Sequence, residues 1–496
     1  MTLKIALKSG GALALMLTTA LVPPAFAASS FEIIGLSADG EHVLTMEYDS
    51  HVGTELYKYI STSTGTVRII EAPAGVTDLF ATGLSADGKS VVGSYMTGGR
   101  YEGFVWTEAG GFKSIPSLGG DYGATYGMAV SADGSAATGY ISKFSFMTYP
   151  IYWSEATGTI DLGFLGGNRA RGLAISGDGK TVAGYAQDPS YEDRAFVWTV
   201  GQNGITDIDT LYVSSQATHV SFDGSVVAGN GQSPQYDTRT FRWTTAGMVD
   251  IGTLGGSWAN LYAMSNDGNI LVGQSETAAH QYQAFRYNAV LSDMKSLGTL
   301  GGSHSRAQDV TADGSIVVGT SQNTDGKYRG FRWSEATGMI SIEDWMKSAG
   351  VTPGNYIIQE VSHVSDDGQV IAGITEDYKT YFARQGNQGT GIIKLDEFLP
   401  TVADAGVIVV NRQLSNADTI MFGAQGQPMR NLLTDGQKAI WGTIDLGRDE
   451  TASANGNLAV GEFIKVLALT GKATLVVEGV DHWNFPHLLK TWAHGP

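Results

Sequence analysis

Cysteine is absent from the 496 residues, which excludes disulfides, thiolate metal sites and thiol catalysis. Proline is scarce, with 12 residues against 66 glycines. That balance argues against collagen or an extended linker and for many tight turns between short strands. Cations are few, 31 Lys and Arg facing 49 Asp and Glu, for a formal net charge of −18. Such a chain repels polyanions, so nucleic acid and anionic membrane surfaces are set aside as main partners. After the first thirty residues no run reaches 18 consecutive apolar positions, so no transmembrane helix is expected. What is present is 42% hydrophobic and 10% aromatic residues, enough to bury a large core.

The N-terminus reads as an address. Lys4 and Lys8 precede an apolar stretch, Gly10 to Val22, and Ala25-Phe26-Ala27 supplies a small-residue cleavage end. Residues 1–27 are therefore expected to be a secretory signal peptide, and the apolar run is too short to span a bilayer.

The mature chain is dominated by a repeat. A Ser/Thr-x-Asp-Gly turn recurs with Asp at 39, 87, 133, 178, 223, 267, 313 and 367. Six residues after the Asp stands a glycine in the last seven copies, from Gly93 to Gly373, with Thr45 in the first. Nineteen or twenty residues after it stands an aromatic: Tyr59, Trp106, Trp153, Trp198, Trp243, Tyr287 and Trp333. The eighth copy breaks that spacing with Phe382, fifteen residues on. Leu-Gly-Gly follows at Leu118, Leu165, Leu254 and Leu300.

Each unit reads as four short strands. In the seventh copy, Gln308 to Val310 leads into the turn, Ile316 to Gly319 forms a β-branched run, Phe331-Arg332-Trp333 follows, and Gly338 to Ile342 closes the unit. Phe and Trp two apart share a strand face and are expected to fill the space between units, while Gly permits close backbone approach beside them. Four strands in about 45 residues, repeated eight times, predict an all-β chain folded as a β-propeller. Eight blades are expected, or seven if one degenerate end copy is shared or displaced, and a right-handed β-solenoid or an open array of sheets is the alternative. Ile342 to Gly350 reads as a short helix that either covers an exposed edge or is a functional insertion.

The pattern Ser-x-Asp-Gly, Val-Val-Gly, Ala-Phe-x-Trp, Leu-Gly-Gly resembles the HAF repeat of bacterial extracellular proteins. Residues 221–256, with Thr240-Phe241-Arg242-Trp243, and 265–302, with Ala284-Phe285-Arg286-Tyr287, carry it best. The resemblance spans residues 31 to about 400 and implies export, but no activity and no catalytic residues.

The rhythm stops after Pro400. Residues 28–400 are taken as the propeller and 401–437 as a linker with a short helix at Leu414 to Gly423. In 438–496, Lys438 to Gly447 and Asn457 to Phe463 read as strands. The order of short helix, Pro428-Met429-Arg430 and aromatic-bearing strand is similar to the start of a bacterial autotransporter β-domain. A membrane barrel needs at least eight strands of about ten residues, and only about 60 residues follow Gln437. A translocator truncated, or read in another frame, near Phe463 is the expectation, with a tail packed on the propeller as the alternative.

Chemical motifs are few. Gly83 to Ser90 fits G-x-x-x-x-G-K-S, yet Val91-Val92-Gly93 continues as a strand and Asp87 would put a carboxylate into the phosphate cradle. His42, His51, His219, His280, His304 and His363 are scattered and read as loop or edge residues. The eight aspartates read as turn residues rather than acid/base pairs or calcium ligands. No catalytic, cofactor or metal residue is assigned. Ligand-binding candidates are aromatics outside the repeat positions: Trp258, Tyr122, Tyr126, Tyr262, Tyr149 and Tyr152. The expectation is a monomeric, exported binding protein at the cell surface, in the outer membrane or in the medium, and periplasmic if the translocator is truncated. Its ligand would be an extracellular glycan or protein, and outer-membrane association would require a barrel completed elsewhere. A propeller-based glycosidase or lyase, or a purely structural envelope protein, is the alternative.

Overall fold

The computed structural model describes residues 31–394 apart from 50–53, 63–66, 120–121, 144–146, 349–356, 377, 379 and 385–390. Beyond 394 it describes the backbone of four short strands. Eight four-stranded antiparallel meanders follow one another: 31–69, 77–115, 122–161, 170–207, 214–250, 255–296, 301–341 and 358–394. The architecture is an eight-bladed β-propeller, with each blade drawn from one contiguous copy of the repeat. Seven blades and the solenoid are thereby set aside.

The Asp-Gly motif is the turn between strands one and two. Its Ser or Thr hydroxyl donates to the Asp carboxylate at 2.6–2.8 Å in every blade. The same carboxylate accepts the backbone N–H two residues on, and the hydroxyl accepts the N–H five residues on, as in Lys180 to Asp178 and Thr181 to Ser176. The turn glycines have φ of 68–75°, where a side chain would be strained. In Gly83 to Ser90 the Asp87 carboxylate accepts from Ser85 and Lys89, and Ser90 to Thr97 is a strand rather than a helix.

The other repeat glycine is required by a β-bulge. Strand one carries one extra residue five positions before the turn Asp, Leu173 in the fourth blade, and the register shifts there. The bulge swings the carbonyl of the residue seven before the Asp against strand two. A Cβ on Gly184 would lie 1.9 Å from the Arg171 oxygen, and the equivalents on Gly93, Gly139, Gly229, Gly273, Gly319 and Gly373 would meet carbonyl oxygens at 1.9–2.0 Å.

Strand three supplies the inter-blade core. Phe104 and Trp106 pack on Leu44 and Ile70 of the first blade. Phe196 and Trp198 pack on Tyr152 and Leu162 of the third. Phe104, Phe196, Phe241, Phe285 and Phe331 are fully buried. Two copies correct the expected pattern. In the first blade Lys58 pairs with Thr45 and Ile60 with Val43, so Ile60 holds the tryptophan position. Tyr59 faces the second blade, against Trp106 and the Gly88 carbonyl. In the eighth blade Tyr381 pairs with Gly373 and holds the phenylalanine position, Ala383 holds that of tryptophan, and Phe382 faces the other way.

The helix forms at Ile342–Ser348 and buries Ile342, Trp345 and Met346. Trp345 packs with Tyr381 and Ala383, replacing the aromatic that Ala383 lacks. The guanidinium of Arg332 lies 5.5 Å over its ring, as that of Arg286 lies 5.8 Å over Trp333 one blade earlier. The insertion is a packing element.

Residues 1–30, where the signal peptide is expected, lie outside the described residues. So do most of 401–496, including the expected strand at Lys438 to Gly447 and residues 457–462 of the one expected at Asn457 to Phe463. Met421–Gly423, expected within a short helix, is a strand paired with Val407–Val409. Phe463–Leu469 pairs with Lys472–Glu478 as a hairpin. Among the described residues no helix is long and apolar enough to cross a membrane.

Candidate binding face and channel

Strand one of each blade lines the central channel, running from the mouth formed by the strand two to three turns toward the Asp-Gly turns. At the turn end, neighbouring blades are joined backbone to backbone. Ala38 N–H bonds the Ala86 carbonyl, Asp87 that of Ala132, Ala132 that of Gly177, Asp178 that of Phe222, Phe222 that of Asn266, and Asn266 that of Ala312. Asp366 N–H on the Ala38 carbonyl closes the ring. Seven of the eight junctions at this end are direct backbone hydrogen bonds, and eight backbones spaced at about 4.8 Å would enclose a ring about 12 Å across. The Asn266 amide bridges to the Asp366 carboxylate at 3.0 Å, and Phe222 covers Gly177. Solutes therefore have their wider access at the opposite mouth.

Between the seventh and eighth blades a carboxylate serves as the joint. Asp309 accepts the Val364 N–H at 2.9 Å and the Val310 N–H at 2.8 Å. Burial pushes it up to about 7 despite those bonds. His219 and His363 stand at the same level, four residues before their turn aspartates, where the other blades carry Gly or Ala. Burial lowers both rings to about 4, and His219 Nε2 lies 3.1 Å from the Tyr262 carbonyl. Both are half-buried in the channel wall, on the first and therefore edge strand of their blades.

Nearer the open mouth, the residue seven before each turn Asp forms a layer: Glu32, Phe80, Tyr126, Arg171, Gln216, Asn260, Arg306 and Glu360. Several of these side chains lean over the preceding blade. Tyr126 meets Tyr101 at 5.3 Å, Arg171 lies 4.3 Å over Tyr140, Gln216 donates to Asp193 at 2.9 Å, and Arg306 lies 5.7 Å over Tyr262. On one side Phe80, Tyr101, Tyr126 and Tyr140 make a continuous aromatic shelf ending in Arg171, with Tyr126 and Tyr140 stacked at 4.6 Å. On the other side Trp258 meets Tyr282 at 5.4 Å and Tyr282 stacks on His304 at 6.2 Å. Arg306 is neutralised by Glu360 at 3.7 Å, and Gln308 donates to the same carboxylate.

The same face carries strained tyrosines. In the strand two to three turns of blades four, five and eight, Tyr191, Tyr236 and Tyr378 adopt φ of 59–66°. They are 65%, 72% and 56% exposed. Blade seven closes the equivalent turn with Gly326, at φ 73°. A left-handed non-glycine residue costs about 1–2 kcal/mol, so these tyrosines are held at some expense where glycine would serve.

Of the six candidates from the sequence, Trp258, Tyr126 and Tyr262 lie at this mouth, each half-buried. Tyr149 and Tyr152 are core residues, packed on Phe164 and Trp198. The side chain of Tyr122 lies outside the described residues. Sequence reasoning missed Arg171, Tyr101, Tyr140 and the turn tyrosines. With the eight copies aligned on the turn Asp, the channel layer is one of several columns that vary from blade to blade, repeating only Glu and Arg, so variability alone does not single it out.

The opposite face holds a cleft of about 630 Å³ between blades six and seven, lined by Arg286, Lys295, Asp313, Arg332 and Glu335. Arg286 is already spent on the Gly314 carbonyl and the Trp333 ring. Among the described residues no three His, Asp or Glu side chains gather as a metal site.

No family model matches the chain, and no curated protein matches it. Solved structures do match in part. An oligogalacturonate lyase from Vibrio parahaemolyticus matches at 15% identity and TM-score 0.41, over 59% of this chain and 87% of its own. TolB from Acinetobacter baumannii matches at 11% and 0.32, over 54% and 78%. The β-propeller domain of the trilobed protease from Pyrococcus furiosus matches at 13% and 0.38, over 62% and 96%. Likenesses this distant reach no further than the propeller architecture, and the chain is placed by its own geometry, as an eight-bladed propeller with one aromatic-rich face.

Proposed function

We propose that the chain is an exported binding protein that captures an extracellular glycan or protein ligand on the open mouth of its propeller. Its layout is that of an autotransporter passenger built from HAF-like repeats. The observation that carries this reading is the concentration of accessible rings on one face, including three tyrosines kept in left-handed turns. Rigid rings give contact area at low entropic cost, and strain retained at exposed positions points to use.

The reading as a carbohydrate-active enzyme draws on Asp309, which titrates near neutrality in the channel wall. Both of its oxygens are engaged by backbone N–H groups at a blade joint, so its geometry suits a structural role better than acid/base work. Screening the full-length chain on a glycan and matrix array, beside a hydrolase and lyase panel, tests the proposal. Saturable binding without turnover is expected; turnover without stable binding would overturn it.

A further inference from the structure

Two arginines occupy the same level of the channel and are treated differently. Arg306 is paired with Glu360. Arg171 has no carboxylate within ion-pair distance among the described residues, and its buried Nε has no hydrogen-bond partner. Arg242, Arg286 and Arg332 also lack an ion pair among the described residues, but those stand against a turn carbonyl or a packed indole away from the channel. At Arg171 an unsatisfied buried donor faces the channel layer and is costly unless something completes it. Its plane lies over Tyr140, which stacks on Tyr126 with planes 16° apart. The shelf and the cation are thus one surface: flat faces for a ring, and beside them a fork of N–H donors suited to a carboxylate.

The charge required of the ligand follows from the surroundings. Arg171, Asp193 and Arg169 all act on Tyr185, so two guanidiniums and one carboxylate share this neighbourhood. Glu32 and Glu360 stand elsewhere around the same layer. A neighbourhood with one net positive charge, in a layer whose two Glu balance its two Arg, matches a monoanion better than a phosphate dianion.

We propose that Arg171, with Tyr126 and Tyr140, forms a subsite for a ring that carries one carboxylate. The carboxylate pairs with the guanidinium and the ring lies on the tyrosine shelf. This rests on the binding-face reading above and assigns its ligand chemistry. A uronic-acid sugar and an aromatic acid both fit that description.

The test is calorimetry on the full-length chain with trigalacturonate, its methyl ester, maltotriose and 4-hydroxybenzoate. Trigalacturonate or 4-hydroxybenzoate is expected to bind, and which of the two does so identifies the source of the ring. If the sugar acid binds, its methyl ester binds at least tenfold more weakly. Arg171→Gln loses at least tenfold, Tyr140→Ala weakens binding, and Arg306→Gln changes it by less than threefold, all with melting curves that confirm folding. Equal binding of acid and ester, or an unchanged Arg171→Gln, would overturn the subsite. If maltotriose or an array glycan binds while both acids fail, the binding face stands and this subsite falls. If no probe and no array member binds, both readings fall.

Discussion

Replacing Gly184 by Ala tests why the repeat keeps a glycine in the middle of its second strand. The new Cβ would lie 1.9 Å from the Arg171 carbonyl oxygen, 3.0 Å from its carbon and 3.1 Å from Gly172 Cα. All three obstacles are backbone, in a strand held by the bulge on one side and the preceding blade on the other. Ordinary contact begins near 3.5 Å, so the strands must part by more than about 1 Å. Overpacking typically costs about 1–3 kcal/mol, and with no flexible side chain to yield, the upper end, about 3 kcal/mol, is expected. For a large domain that lowers the melting temperature by about 6–12 °C. Gly123→Ala is the control: its Cβ would meet Ser142 at 3.4–3.5 Å, ordinary contact, on a first strand of the neighbouring blade. It should melt within a degree or two of the parent, or slightly above it. Differential scanning calorimetry of the three chains decides. If Gly184→Ala and Gly123→Ala melt together, the bulge is not what holds glycine in the repeat.

Other consequences are accessible to the same methods. Trp345→Ala should lose about 3–5 kcal/mol, as for a packed repeat tryptophan such as Trp198, and Ala383→Trp should also destabilise, because the site is filled; a melt unchanged in either would contradict the substitution of one ring by the other. Tyr191→Gly and Tyr236→Gly should leave stability level or raise it by up to about 1 kcal/mol while weakening ligand capture; a loss of stability would show the rings to be packing residues. Acid titration should reveal the channel histidines. With His219 and His363 at about 4 in the fold and near 6.5 unfolded, the unfolded chain binds more protons between those values, so stability falls as pH drops from 6.5 to 4. Asp309, raised to about 7, opposes this with stability that falls as pH rises from 3.8 to 7. His219→Asn should flatten the acid-side loss, and an unaltered pH profile of chemical denaturation would refute the assignment.

Much of the architecture was legible because a repeat multiplies every local signal. One Asp-Gly turn is weak evidence; eight in register, seven of them followed by a glycine six residues on, define the four-strand unit and narrow the ring to seven or eight blades. The end copies were misread at the level of facing. In a strand a one-residue offset moves a side chain to the other side of the sheet, so Tyr59, which fits the spacing, and Phe382, which falls short of it, both miss the register. The candidate site was half legible. Trp258, Tyr126 and Tyr262 are aromatics that follow Leu-Gly-Gly segments, whereas Tyr149 and Tyr152, with no such mark, belong to the core. Arg171 carried no local mark, because its significance lies in the carboxylate that no neighbouring blade provides.

The scarcity of cysteine and proline beside abundant glycine already required a fold stabilised by packing and turns rather than by cross-links, and the 45-residue period made each blade a local unit. Those properties depend on neighbours in sequence, so sequence alone determined them. Which strand faces which blade, how closely the turns draw together at one end of the channel, and which of two arginines is left unpaired depend on residues about 45 positions or more apart. Only closing the ring brings such residues within reach, and so tertiary structure alone decided where the chain offers a surface to a ligand.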